Sequence, residues 1–170
     1  MQIIKTIHIL KDKHILLTCL CLVLCLSITS IFTKVAFIQV ASAQIVNKGF
    51  FSGVSIEGYD AVSYFTESKA VAGKEDIELK WSGATWRFSS VENRELFKES
   101  PLKYAPQYGG YCAYGIAKGS KASIDPQAWA IIDGKLYLNY DTGIQEKWEQ
   151  DRTRYIEEAD KVWSKWNKQK

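Results

Sequence analysis

Two stretches of the chain alternate apolar and polar positions, the pattern of a β-strand with one buried face. In "DIELKW" (76–81) and "TWRFSS" (85–90), apolar residues occupy alternate positions on either side of a Gly-containing turn. In "AWAIIDGKLYLNY" (128–140), two apolar runs flank Asp133-Gly134, the pair typical of a two-residue type I′ turn. The pattern therefore predicts two β-hairpins.

Apolar residues recur at helical spacing in the rest of the chain. Ser90 can cap a helix that ends at Lys98, and a short helix is predicted around 111–117. Asp141 can cap a helical region that reaches the C-terminus, with a break near 151–152. The apolar stripe of that region consists of Ile144, Trp148, Tyr155, Ala159, Val162, Trp163 and Trp166. The order predicts an α+β fold: a small single domain with two β-hairpins, intervening short helices and a C-terminal helix.

The N-terminus has a different character. Three lysines precede an apolar run at 15–32, and the small-residue sequence "ASA" follows at 41–43. This order predicts a signal peptide over 1–43, leaving 44–170 as the folded domain with its C-terminal helical extension. Because the run reaches the roughly 18 residues of a membrane span, an uncleaved N-terminal anchor is the alternative. Either interpretation predicts an exported protein, periplasmic or secreted, which contacts a membrane only if the segment is retained.

Composition changes the picture once residues 1–43 are set aside. Both histidines, the single methionine and three of the four cysteines lie in that segment, which leaves Cys112 alone. Without a histidine, a Ser-His-Asp or Cys-His catalytic arrangement lacks its base, so we expect no enzyme activity. The remaining 18 basic and 18 acidic residues balance, which argues against a nucleic-acid partner.

Several stretches resemble the exported branch of the YHS domain family: "GYDAVSYF" (58–65), the segment 81–115, "DPQAW" (125–129) and "DGKLYLNY" (133–140). The resemblance implies a small α+β module of a kind attached to heavy-metal transporting ATPases and multicomponent monooxygenases. It also implies metal binding through cysteines that follow the second hairpin strand in a pattern like F-C-S-x-x-C.

The chain departs from that pattern at the ligand positions. Ser89 and Asn93, or a near neighbour of Asn93, stand where the resemblance places cysteines. Trp86 and Arg87 occupy the region of the namesake tyrosine and histidine. The resemblance therefore carries over the fold and not the ligands.

Cys112 lies in "YGGYCAYG" (108–115), which suggests the candidate site. The candidate metal ligands are Cys112 and Asp60, and the candidate pocket-lining residues are Tyr59, Tyr108, Gly109, Gly110, Tyr111 and Tyr114. Each has a structural alternative: Asp60 as a helix cap, the glycines as a turn, and the tyrosines as core.

Three functions remain open. The first is an exported, metal-associated binding module, in which Cys112 binds copper, zinc or iron with oxygen ligands or across a homodimer. The second is a module that binds a non-metal ligand or an unknown protein partner, with Cys112 as a structural residue. The third is thiol redox chemistry through an intermolecular disulfide.

Overall fold

A computed structural model describes residues 45–49 and 52–168. The signal peptide or anchor predicted over 1–43 lies outside these residues. Within the described ranges the fold is α+β, with six helices and two separate two-stranded antiparallel sheets, as the sequence predicts. No helix in these ranges is both long and apolar enough to cross a membrane.

The first sheet pairs β1 (Lys74–Trp81) with β2 (Ala84–Phe88). Ser82 and Gly83 both have positive φ, 49° and 74°, which is the two-residue type I′ geometry. The turn is thus one residue shorter than the 82–84 segment between the predicted strands, because Ala84 already pairs with Trp81.

The second sheet pairs β3 (Asp125–Ile132) with β4 (Lys135–Asn139) around Asp133-Gly134. Those two residues have φ of 50° and 71°, so the predicted type I′ turn is confirmed.

The helices are short except for the last. They are α1 (Ser63–Thr66), α2 (Val91–Glu99), α3 (Pro101–Tyr104), α4 (Ala113–Ala117), α5 (Thr142–Glu149) and α6 (Arg152–Lys168). The Ser90 side chain accepts a hydrogen bond from the backbone N–H of Asn93, and Asp141 accepts one from that of Ile144. Both predicted caps and the break near 151–152 are therefore confirmed.

The buried side chains form two clusters that meet at β4. Leu136 and Leu138 pack in a cluster with Trp86 and other residues of the first hairpin. Tyr137, between them, packs in a second cluster with Trp148 and other residues of the C-terminal helices. Since successive residues of a strand point to opposite faces, β4 separates the two halves of the core.

Candidate functional site

Asp60 lies in a turn before α1 and is fully buried. Its Oδ1 accepts a hydrogen bond from the backbone N–H of Val62 at 2.8 Å. Its Oδ2 accepts three more: from the backbone N–H of Ser89 at 2.8 Å, from the Ser89 hydroxyl at 2.6 Å and from the Asn93 amide at 2.7 Å. Four donors thus converge on one buried carboxyl group, which we call the Asp60 network.

The Asp60 network includes residues at the positions where the resemblance to the YHS domain family would imply metal ligands. Ser89 and Asn93, or a near neighbour of Asn93, stand where the resemblance implies cysteines, and the side chains of Ser89 and Asn93 both donate hydrogen bonds to Asp60. A metal ion needs electron-pair donors directed at it, whereas here N–H and O–H groups already point at both carboxylate oxygens. These residues do not fit a metal ion.

Cys112 precedes α4 and has no exposed surface. Its Sγ accepts a hydrogen bond from the backbone N–H of Gly115 at 3.3 Å, so the thiol caps this short helix. The thiol also lies 3.9 Å from Asn139 Oδ1, to which it can donate. Burial raises the pKa of the thiol and outweighs the backbone N–H groups that lower it. Burial and the raised pKa both favour a thiol that packs and caps α4 over one that reacts.

The two candidate metal ligands have different neighbours. Asp60 bonds to residues that follow the first hairpin, and Cys112 bonds to residues of α4 and β4. In the part of the chain that the structure describes, no three Cys, His, Asp or Glu residues are grouped as a metal ion would require.

Gly109 and Gly110 form a turn with positive φ, 63° and 78°. A Cβ on Gly109 would lie only 1.8 Å from the carbonyl oxygen of Ile45. The segment 45–47 runs directly against this turn, because Asn47 donates its backbone N–H to Gly109 and its side-chain amide to Gly110. The glycines thus both turn the chain and admit a neighbouring backbone.

The candidate tyrosines are mostly packing residues. Tyr108 is buried, and its hydroxyl donates a hydrogen bond to Asp160 Oδ1 at 2.9 Å. Tyr111 packs against Trp163 and Tyr114 against Tyr155, with ring centroids 6.3 and 5.0 Å apart. Tyr59 belongs to a different region, where it pairs with Ala72.

A cleft of about 230 Å³ lies between the segment 102–109 and α6. We call it the α6 cleft; its lining residues are Leu102, Ala105, Pro106, Gln107, Tyr108, Gly109, Asp160, Trp163 and Asn167. Of the candidate pocket residues, Tyr108 and Gly109 line it, whereas Tyr59, Gly110, Tyr111 and Tyr114 do not. The cleft combines a carboxylate, an indole and two amides with three aliphatic residues, Leu102, Ala105 and Pro106.

Sequence reasoning missed two residues that shape these sites, Asp160 and Asn139. Asp160 lies beside the apolar stripe of α6, and its sequence signal is its position three residues before Trp163, on the same helix face. Asn139 ends β4 after three buried residues, and its fully buried amide is the kind of polar group that signals a specific contact.

No known protein family, no curated protein and no solved structure matches this chain. The resemblance to the YHS domain family therefore stays a prediction.

Proposed function

We propose that this chain is an exported, non-enzymatic binding module with a YHS-like fold, which takes a small ligand or a partner side chain in the α6 cleft. The observation that carries the proposal is the cleft itself. Two residues of the candidate pocket, Tyr108 and Gly109, meet Asp160, Trp163 and Asn167 around a shared space. A concave site with a few convergent polar groups is the usual form of a binding site.

The surroundings of Cys112 and Asp60 support this choice over the two thiol-based functions. The Cys112 thiol is buried and caps α4, and both oxygens of Asp60 accept hydrogen bonds. A redox role or a metal site shared across a homodimer would require α4 to open before the thiol met a reactant.

Metal association stays a proposal in its own right, resting on the YHS resemblance. It is tested by the uptake of zinc, copper(I) and iron by the full chain and by a Cys112→Ser, Asp60→Asn double variant. We expect the same weak uptake by both proteins. Stoichiometric metal binding by the wild type that the double variant loses would support the metal-associated function.

The binding function is tested by a fragment screen on the full chain with ligand-observed NMR. Asn167→Trp places a large side chain at the cleft from an exposed position, and Lys168→Trp adds the same bulk beside it without lining the cleft. We expect fragments that bind the wild type and Lys168→Trp but not Asn167→Trp. Hits that survive Asn167→Trp, or a screen without hits, would overturn the proposal.

A further inference from the structure

We propose that the α6 cleft recognises a primary ammonium group on a short alkyl chain. This inference rests on the proposed binding function and names the chemical class of the ligand. It follows from the charge of Asp160, the position of Trp163, the end of α6 and the size of the cleft.

Asp160 supplies the negative charge. It is exposed, and it makes no ion pair with another residue of the described ranges. The Tyr108 hydroxyl donates to its Oδ1 and so holds the carboxylate toward the cleft. Burial first, and then the hydrogen bond to Asp160, raise the pKa of Tyr108 above its usual value, so the phenol remains a donor. The other carboxylate oxygen is left to accept from a ligand.

Trp163 supplies an aromatic surface next to that carboxylate. It lies one helical turn after Asp160, is half-buried and packs against Tyr108 with ring centroids 6.0 Å apart. Indole attracts cations more strongly than the other aromatic rings. Nearby, Lys121 already lies 5.0 Å from the ring centre of Trp166.

The end of α6 adds to the attraction for a cation. Asn167 lies in the last described turn of α6, toward the end at which a helix dipole places partial negative charge. Lys161, Lys165 and Lys168 share the helix but, by the 3.6-residue period, lie away from the face formed by Asp160, Trp163 and Asn167.

The volume of the cleft sets the size of the ligand. About 230 Å³ is the space of about eight water molecules and is below the roughly 300–1,000 Å³ of drug-sized pockets. Leu102, Ala105 and Pro106 can contact an alkyl chain, and the amide oxygens of Gln107 and Asn167 can accept from an ammonium. A chain of four or five carbons fits these limits, whether it belongs to a free amine or to a lysine side chain.

Isothermal titration calorimetry on the full chain tests the ligand class. The probes are n-butylammonium, the uncharged n-butanol and the anionic butyrate. We expect n-butylammonium to bind at least tenfold more tightly than n-butanol, and butyrate to bind least. Asp160→Asn keeps the shape and the Tyr108 hydrogen bond, and should weaken n-butylammonium binding at least fivefold. Glu157→Gln, an exposed change on the same helix, should alter it less than twofold.

The outcomes separate this inference from the binding function. If n-butanol binds as well as n-butylammonium and Asp160→Asn has no effect, the ammonium class is wrong even though the fragment hits stand. If the fragment screen finds no cleft ligand, the binding function itself fails. A further arm compares n-butylammonium with Nα-acetyl-lysine methylamide. Tighter binding of the lysine derivative supports a partner side chain, and its exclusion supports a free amine; both agree with the ammonium class.

Discussion

The two halves of this domain each bury a residue with ligand chemistry, but they surround it differently. On the hairpin side, comprising β1, β2 and α2, Asp60 receives hydrogen bonds from residues about 30 positions away in the sequence. On the helix side, comprising β4, α4, α5 and α6, Cys112 mainly caps the next helix. On that side the polar groups that remain open, Asp160 and Asn167, face the α6 cleft.

Whether a residue with ligand chemistry can bind a ligand depends on where its polar atoms already point. Asp60 joins separate elements of the hairpin side, because its hydrogen bonds reach Ser89 and Asn93 as well as its own turn. Cys112 holds one short helix. Asp60 and Cys112 are both buried, whereas Asp160 is exposed.

Replacement of Asp60 should have the largest effect on stability. Asp60→Ala leaves four buried or half-buried donors without an acceptor, and we expect a loss of about 4 kcal/mol in the free energy of unfolding. Urea denaturation followed by fluorescence measures it. Asp76→Ala, at an exposed position of β1, should cost less than about 0.5 kcal/mol. A loss below about 1 kcal/mol for Asp60→Ala would mean that the network does not hold the hairpin side together.

Gly109→Ala tests the close approach of the segment 45–47 on the helix side. The new Cβ would collide with the Ile45 carbonyl oxygen in a backbone conformation that side chains rarely adopt, so we expect a loss of about 3 kcal/mol. Gly119→Ala is the matched control, because its φ is also positive but its surroundings are open; about 1 kcal/mol is expected. Hydrogen exchange should also become faster at the Asn47 amide in Gly109→Ala. Equal losses for the two variants would contradict this packing.

Substitutions of Cys112 should have a moderate effect that depends on hydrogen-bonding capacity. Cys112→Ala removes the cap of α4 and should cost about 1.5 kcal/mol, whereas Cys112→Ser keeps an acceptor for the Gly115 N–H and should cost less. Maleimide labelling of the wild-type thiol should wait for unfolding, because the side chain has no exposed surface. Prompt labelling of the folded protein would argue for a reactive thiol instead.

Alkaline pH should weaken the helix side gradually. Burial raises the pKa of Cys112 above its ordinary 9.0, so between the unfolded and folded pKa values the unfolded chain binds fewer protons. Stability should therefore be full below pH 9 and fall above it, by about 1 kcal/mol per pH unit for each such group. Tyr108 and Tyr137 shift in the same direction because of burial and add to the fall above pH 10. Denaturation of wild type and Cys112→Ser between pH 8 and 10.5 checks this: the variant should begin to lose stability later, and parallel curves would contradict it.

Local patterns predicted most of the fold. Alternation and Asp133-Gly134 gave the second hairpin, while Ser90 and Asp141 gave the starts of α2 and α5. Each of these signals acts over a few residues, through side-chain periodicity or a cap. The boundaries of the first turn and the short helices α1 and α3 were harder to predict from the sequence. Single turns of helix depend on tertiary packing, which local patterns do not show.

The candidate site was only partly predictable, because it depends on contacts between distant segments. Asp60 and Cys112 were identified as polar or soft residues in aromatic surroundings, but nothing local indicated that Asn93 would bond to one and Asn139 to the other. Asp160 meets Tyr108 across 52 positions of the chain, so only the folded structure brings them together.

Binding in the α6 cleft is tested most directly by an amide chemical-shift map of the isotope-labelled full chain during titration with n-butylammonium. We predict that the largest shifts fall in 102–109 and at Asp160, Trp163 and Asn167, while Asp60 and Cys112 stay unchanged. Largest shifts at Cys112, Asn139 or the Asp60 network would contradict a binding site in the α6 cleft.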